Sequence, residues 1–539
     1  MKDISSTGSF INFYLNNYIY VDKTQYIRDL IKLERVFISR PRRFGKSLTL
    51  DTIATLFETG VEPYFKGTWI YDKWTEPTYP VFRLSFLNLD NSSMDLFKKQ
   101  LNSKITEFAN KISVKGYVEK TEPEDSILSL LEKLEETRQI VILIDEYDYQ
   151  LTSNINNDEL YKQFQQKIKR IYANIKDKFA IKFLGITGVT RLKDVEIFSI
   201  GSDINDITND SVYSQMIGFT RDEIKKYYID YLKLAASYEN KCRVEEVTDT
   251  QIESMLDMMA QNYDGYCFDE FYKKKVFSTW SVNKFFQSVV SNKFVYFGEY
   301  WYDNGGLPSI LVNYLKTHEL NIFEYLDKDK FLKVSSDDFK NPTALTTINQ
   351  NVLMCQTGYL TLRSDLNKTS TVALGIPNGE IYKALNRLLA NNIFKGNTDI
   401  TDDYGRSLLE VGTVDDIINL FNSALNSVSY DNYPIVSESS VQNMLKLYLL
   451  GAHQKVLSEV HEAKGRADLV VNTDNRRIVF EFKYAKNETE AKSKLHDAVE
   501  QIKTRDYGNI VPNKTELLRI AAVFNADPKV RAFTEYQEV

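Results

Sequence analysis

The segment Arg35-Val36-Phe37-Ile38-Ser39 is a short apolar strand signal. It runs through Arg40-Pro41-Arg42-Arg43-Phe44-Gly45-Lys46-Ser47 into Leu48 to Phe57, whose apolar residues recur at helical spacing. Strand, loop and helix in that order begin an alternation that continues down the chain. A strand is expected at Tyr79 to Phe86 and a helix at Ser126 to Thr137. The apolar run Ile140 to Ile144 ends at Asp145-Glu146; a helix follows at Leu160 to Ile175 and a strand at Ala180 to Ile186, ending at Thr187-Gly188. Strands alternating with helices, with polar residues at the strand C-terminal ends, describe an open parallel sheet that holds its ligand at that edge.

At 539 residues the chain exceeds one ordinary core, and two to four domains are expected. Between about Thr220 and Lys340 the pattern turns helical and aromatic, with Tyr and Phe repeatedly at helical spacing. Leu345 to Met354 reads as a helix, Gly358 to Arg363 and Thr369 to Leu374 as strands, and Glu380 to Leu389 as a helix. The Asn- and Ser-rich stretch Asn422 to Asn432 reads as a linker.

Composition narrows the function classes. The hydrophobic share of 43% and charged share of 26% are those of a soluble globular protein, and no apolar run reaches the roughly 18 residues of a membrane span. Met1 to Phe10 lacks the basic start and apolar stretch of a signal peptide, so a cytoplasmic protein is expected. Cys242, Cys267 and Cys355 are scattered, and the four histidines form no close ligand pair, which argues against zinc and against a disulfide framework. A net charge of −7 repels phosphate globally, so any nucleic-acid binding must use a local patch.

Phosphate binding by a P-loop needs backbone N–H groups around the phosphates, a lysine on the terminal phosphates and a hydroxyl on Mg²⁺. Gly45, Lys46 and Ser47 supply the end of that motif, although Arg40 stands in place of its first glycine and Pro41 stiffens the turn. Arg42 and Arg43 are counted with the nucleotide-binding residues. On the later strand Asp145 would hold Mg²⁺ through water, and Glu146 would polarise the attacking water. Thr187 suits a sensor of the γ-phosphate, and Arg191 would stabilise transition-state charge. Both motifs occur in the expected order, each on the expected element, so ATP and Mg²⁺ are the cofactors expected here.

Near the C-terminus, Gly465-Arg466-Ala467-Asp468 leads into the strand Leu469-Val470-Val471, a turn at Asn472 to Asn475, and the strand Arg477 to Lys483. On such a hairpin Glu481 and Lys483 share a face because side chains alternate with period two. Asp468 at the start of the partner strand reaches the same place, giving two hard carboxylate ligands for one metal ion with positions left for water and a phosphate oxygen. Lys483 would orient or deprotonate that water. A carboxylate and a lysine two apart on a strand also fit an amphipathic hairpin whose charged face meets solvent; the residues before Asp468 and the later helix with Gln501 favour the metal site.

Several blocks resemble the bacterial AAA-ATPase-like family whose members carry a C-terminal PD-(D/E)XK nuclease domain. They are Tyr20 to Thr24, Phe37 to Leu48, Leu143 to Asp148, Gly185 to Arg191, Tyr263 to Tyr266, Gln356 to Leu360 and Gly465 to Lys483. The resemblance implies an α/β multidomain protein: a P-loop parallel-sheet ATPase core over 1–220, a helical extension over 221–340, a small winged-helix-like linking module over 341–430, and a restriction-endonuclease-like α/β domain over 431–539. It implies Glu459 as the helix-borne acid of the nuclease motif, Asp468, Glu481 and Lys483 as its core, and Gln501 as its trailing polar residue. Ala467 stands where that motif usually has Pro. The expected function is an ATP-binding, ATP-hydrolysing protein whose Mg²⁺-dependent nuclease domain cuts nucleic acid, DNA rather than RNA, under nucleotide control, in a chain that forms a homo-oligomer and does not enter membranes. The alternative is a nucleotide-dependent switch or scaffold whose nuclease fold binds nucleic acid or protein without cutting.

Overall fold

Five parallel strands form the first sheet of the computed structural model: β1 (Arg35–Ser39), β2 (Val81–Ser85), β3 (Ile140–Asp145), β4 (Ile181–Gly188) and β5 (Asn205–Asp206), in the order β2-β3-β4-β1-β5. The structure describes residues 1–135, 137–192, 204–303, 309–315, 318, 322–342, 344–394, 404–452, 454–462, 465–507 and 516–539. β1 is buried along its whole length and β3 along all but its last residue, which explains their near-continuous apolar sequence: a parallel strand covered on both faces has no solvent side to alternate with. Helices Lys46–Thr59, Pro123–Leu134 and Asp158–Ile175 stand close to the sequence expectation. The last buries Tyr161, Phe164, Ile168, Ile171 and Ile175 on one stripe, and Asn157 caps its first turn by accepting from Leu160 N at 3.2 Å.

This sheet belongs to a compact unit comprising Met1–Leu320 and Phe331–Ile381. Its middle part is helical, as the aromatic spacing predicts. Helices Arg221–Tyr227, Ile229–Asn240, Asp249–Tyr263 and Thr279–Asn292 bury Leu232, Met255, Met259, Phe285 and Phe286 together, and Tyr228 stacks on Phe286 at 5.3 Å. A three-stranded antiparallel sheet, β6 (Leu332–Ser335), β7 (Thr361–Leu362) and β8 (Thr371–Gly375), follows in the order β6-β8-β7. The helix expected from Leu345 starts only at Gln350, capped by Asn349, and the strand expected over Gly358 to Arg363 shrinks to two residues because Gly358 is used as a left-handed helix cap.

The second unit comprises Asn321–Lys330 and Tyr382–Val539. Its sheet holds β9 (Lys455–Glu462), β10 (Gly465–Asn472), β11 (Arg476–Ala485), β12 (Glu516–Asn525) and β13 (Ala532–Glu538) in the order β13-β12-β11-β10-β9. Only the β11–β12 pair is parallel, and the connection between them carries the helix Glu488–Arg505. One face buries Ala467, Val470, Val479 and Ala521 against Ala498, Val499 and Ile502 of that helix; Phe480 and Phe482, of the opposite parity, meet Phe421 and Phe533. Phe421 comes from the helix Val414–Asn426, so the expected linker from Asn422 is helical at its start. Asn422 exchanges hydrogen bonds with Phe533, its Nδ2 donating to the carbonyl at 3.1 Å and its Oδ1 accepting from the amide at 2.8 Å. Among the described residues no helix is long and apolar enough to cross a membrane.

Candidate nucleotide and metal sites

The first site grows from the C-terminal ends of β1, β3 and β4. After Ser39 the chain turns through Arg40 to Phe44 into the helix Lys46–Thr59, and Arg43 (φ 69°) and Gly45 (φ 104°) take left-handed conformations on the way. Gly45 does so without a side-chain penalty. Arg43 does so with its guanidinium held: Nη1 donates to the carbonyls of Tyr300 at 3.0 Å and Trp301 at 3.1 Å, and the group lies 4.5 Å over the Trp280 ring. Arg43 therefore anchors the loop to the helical region while it also lines the cavity beside Lys46. Arg40 is likewise absorbed. It donates to Thr208 O at 2.6 Å and Ser39 O at 2.9 Å, lies 4.2 Å over Phe268, and burial pulls its pKa down to about 9. The bulk that replaces glycine is thus accommodated by the surrounding protein.

Lys46 is buried at the start of the helix, and its Nζ donates to the carbonyls of Arg40 at 2.8 Å and Pro41 at 3.0 Å. Burial pulls its pKa down against the attraction of Asp145, Asp148 and Glu146. Ser47 Oγ donates to Asp145 Oδ2 at 2.6 Å, and Thr187 Oγ1 donates to the other carboxylate oxygen. Glu146, at φ 52°, has a buried Oε2 with no hydrogen-bond partner among the described residues; burial and then the neighbouring Asp145 push its carboxyl up. Lys46, Ser47 and Glu146 line, with Arg42, Arg43 and the apolar Ile19 and Phe219, a cavity of about 530 Å³, and Asp145 joins it through its bond with Ser47. That size suits a small-molecule ligand of nucleotide dimensions. A lysine, a hydroxyl and a carboxylate at the turn, with a second, unpartnered carboxylate beside them, are the donor set that Mg²⁺ and a triphosphate require, and so the residues fit the pair.

Thr187 and Arg191, both expected at the nucleotide, have protein partners. The Thr187 hydroxyl is committed to Asp145, and the Arg191 guanidinium forms an ion pair with Asp206 while its backbone N–H donates to Gln356 Oε1 at 3.3 Å. Asp148, not singled out from the sequence as a site residue, is buried and accepts from the Thr190 amide and hydroxyl, both at 2.6 Å, fixing the turn after β4. The Asp145 to Asp148 block contained it, but nothing in a linear pattern shows which of three neighbouring acids turns inward.

The second site lies on β10 and β11. The register pairs Val470 with Val479 and Leu469 with Phe480, so one further step sets Asp468 across from Glu481 on the face of Val470 and Val479. Asp468 Oδ2 accepts from Phe482 N at 2.8 Å, and its carbonyl accepts from Gln442 of the helix Glu438–Gly451. Lys483 Nζ donates to Glu481 Oε1 at 2.8 Å and to Glu438 Oε1 at 3.4 Å. Glu481 is fully buried, and its Oε2 has no hydrogen-bond partner among the described residues. Burial, then the neighbouring Asp468, push its carboxyl up to about 7; burial also raises Asp468. Burial lowers the Lys483 ammonium, but its bond to Glu481 and the pull of the three acids leave it above its usual value.

Two buried carboxylates side by side repel each other, and a cation between them would lower that energy. Among the described residues no three His, Cys, Asp or Glu side chains converge into a complete metal cage. Asp468 and Glu481 offer two carboxylates, and an ion held by them would take its remaining positions from water and phosphate oxygens. Glu459, expected as the helix-borne acid, lies on strand β9; the helix that reaches this site is Glu438–Gly451, and its acid is Glu438, in the first turn. The sequence signal that would have found it is Ser437-Glu438 opening an apolar helix, with Ser437 accepting from Ser440 N as the cap. Gln501 lies on the helix Glu488–Arg505 and donates to the Tyr507 hydroxyl at 3.4 Å.

Residues 5–198 match a family model described as a predicted AAA-ATPase, and residues 436–534 match the PD-(D/E)XK nuclease superfamily. A relative from Azotobacter chroococcum mcd 1, described as an uncharacterized protein in the vnfD 5' region, is 25% identical over 95% of this chain and 94% of its own length.

Proposed function

We propose that this chain, which joins a predicted AAA-ATPase region to a PD-(D/E)XK nuclease superfamily domain, hydrolyses phosphodiester bonds of nucleic acid with a divalent cation and binds and hydrolyses ATP at a separate site that controls the cutting. The observation that carries the reading is the Glu481 carboxyl: buried, beside Asp468, with one oxygen on Lys483 and the other without a partner among the described residues. Mg²⁺ bound there would supply Lewis-acid stabilisation of the phosphorane and a more acidic water. Asp468 and Glu481 would hold it, Asp468 kept in place by the Phe482 amide. Lys483 would orient the attacking water, with Glu438 keeping its ammonium protonated and directed at the site until a proton is exchanged.

In the nucleotide pocket Lys46 would leave the Arg40 and Pro41 carbonyls for the phosphates. Ser47 and Asp145 would hold Mg²⁺, and Glu146 would take up the proton of the attacking water. A second reading, a nucleotide-dependent switch that binds without cutting, draws on the same pocket: Lys46 is already satisfied by protein partners, so nucleotide binding must exchange those bonds for others. DNA is the favoured substrate and the cytoplasm the favoured location. The test is incubation of the purified protein with plasmid, linear and single-stranded DNA and with RNA, with and without Mg²⁺ and ATP. Mg²⁺-dependent cleavage of at least one substrate is expected; ATP hydrolysis with no cleavage of any of them would favour the switch.

A further inference from the structure

The helix Glu488–Arg505 ends beside the nuclease site in an arrangement that the metal ligands do not explain. Tyr507 is fully buried among Ala467, Val479, Ala498 and Ile502, the neighbours of Asp468 and Glu481 in the sheet and the helix above them. Its hydroxyl accepts from Gln501 Nε2 at 3.4 Å and from Arg505 Nη1 at 2.9 Å. The turn is pinned from below: Arg519 Nε donates to Tyr507 O at 2.6 Å and Nη2 to Asp506 Oδ1 at 3.0 Å. Arg519 thus has an acid of its own, whereas among the described residues no carboxylate pairs with Arg505, which is exposed. Tyr507, which holds Arg505, shares a buried cluster with Ala467, next to Asp468, and with Ala521, paired with Glu481, so the Arg505 guanidinium lies at the side of the sheet that bears these two acids.

A guanidinium held on one edge by a buried tyrosine, with no other hydrogen-bond partner among the described residues, is preorganised for a tetrahedral anion, since less side-chain entropy is lost when it binds. A cation at a helix C-terminus is also favourable in solvent alone, but that bland role needs neither Tyr507 nor Arg519. We infer that Arg505 is a phosphate-binding residue of the nuclease site, holding a backbone phosphate of the strand to be cut next to the Asp468–Glu481 pair, with Gln501 and Tyr507 as its positioning residues. The inference rests on the nuclease reading and assigns to it the group that docks the substrate.

The test compares the full-length parent with Arg505→Ala, Arg505→Lys and Tyr507→Phe, using fluorescein-labelled duplex DNA, single-stranded DNA and RNA of one sequence. Binding is read by anisotropy in Ca²⁺ across a salt series, and cleavage in Mg²⁺. Arg505→Ala should weaken binding about tenfold, the loss of one charge-assisted contact. The slope of log K against log salt should fall by about 0.9 for duplex or about 0.7 for single strands, the value of one phosphate contact. The Mg²⁺ concentration needed for half-maximal cleavage should not move. Arg505→Lys should restore the salt slope, and Tyr507→Phe should lower affinity while leaving the slope intact. The nucleic acid on which the slope changes identifies the strand type the site takes. Parental affinity, slope and cleavage in Arg505→Ala, in a parent that does cut, would overturn the inference and leave the nuclease reading standing. A parent that neither binds nor cuts any of the probes overturns both.

Discussion

Ser47 Oγ lies 2.6 Å from Asp145 Oδ2, so the first turn of the helix after β1 and the end of β3 meet in a single hydrogen bond at the edge of a parallel sheet. The bond joins the two halves of the proposed Mg²⁺–nucleotide site, which are 98 residues apart in the chain.

Lys46→Ala removes a buried ammonium whose charge-assisted bonds to phosphate are worth about 1.5–3 kcal/mol each, so ATP affinity should fall by at least about tenfold. Glu146→Gln keeps the shape of the pocket and removes the base, so it should bind ATP like the parent and release phosphate far more slowly. Calorimetric ATP binding and a phosphate-release assay separate the two effects; parental binding and turnover in Lys46→Ala would put the nucleotide elsewhere.

Much of this site was legible in the sequence because its parts are local: the strand, the turn and the helix after β1 are contiguous, and Asp145-Glu146 ends an unmistakable buried strand. The hairpin of Asp468 and Glu481 was legible for the same reason. What failed to show was whatever depends on a distant partner. No linear pattern shows that Arg43, beside the phosphate loop, also bonds to Tyr300 and Trp301 and stacks on Trp280. Glu459 occupies a plausible distance before Asp468, yet the segment pairs with β10 as a strand, and the acid that reaches Lys483 comes from a helix thirty residues before Asp468, at Glu438.

Glu438→Gln tests that substitution of one acid for another. Its pair with Lys483 is partly exposed, so its removal should cost only about 1 kcal/mol, a roughly fivefold loss of cleavage efficiency, with ATP hydrolysis unchanged. Cleavage equal to the parent's would exclude Glu438 from the site.

Glu380 supplies a pH-dependent prediction. Its Oε1 accepts from Trp301 N at 2.8 Å and its Oε2 from Ser281 Oγ at 2.7 Å, and burial pushes its carboxyl up to about 8. The folded protein therefore keeps this proton after the unfolded chain, with a carboxyl near 4.5, has lost it. The stabilisation is fully present below that lower value and is lost as pH rises through about 8, by an amount on the order of a few kcal/mol. The apparent Tm should fall between pH 5 and pH 8, and Glu380→Gln, neutral throughout, should flatten that fall. An identical pH profile in the variant would mean that Glu380 is ionised in the folded protein.

If Asp468 and Glu481 jointly hold the cation that drives phosphodiester cleavage, Mg²⁺-dependent cleavage of labelled nucleic acid by the parent, Asp468→Ala and Glu481→Ala, with ATP hydrolysis followed in the same samples, decides it. Cleavage should require Mg²⁺, stop with a chelator and be absent from both variants while ATP hydrolysis continues at the parental rate, because the two reactions use separate residues and separate ions. Cleavage at the parental rate in both variants would contradict the assignment.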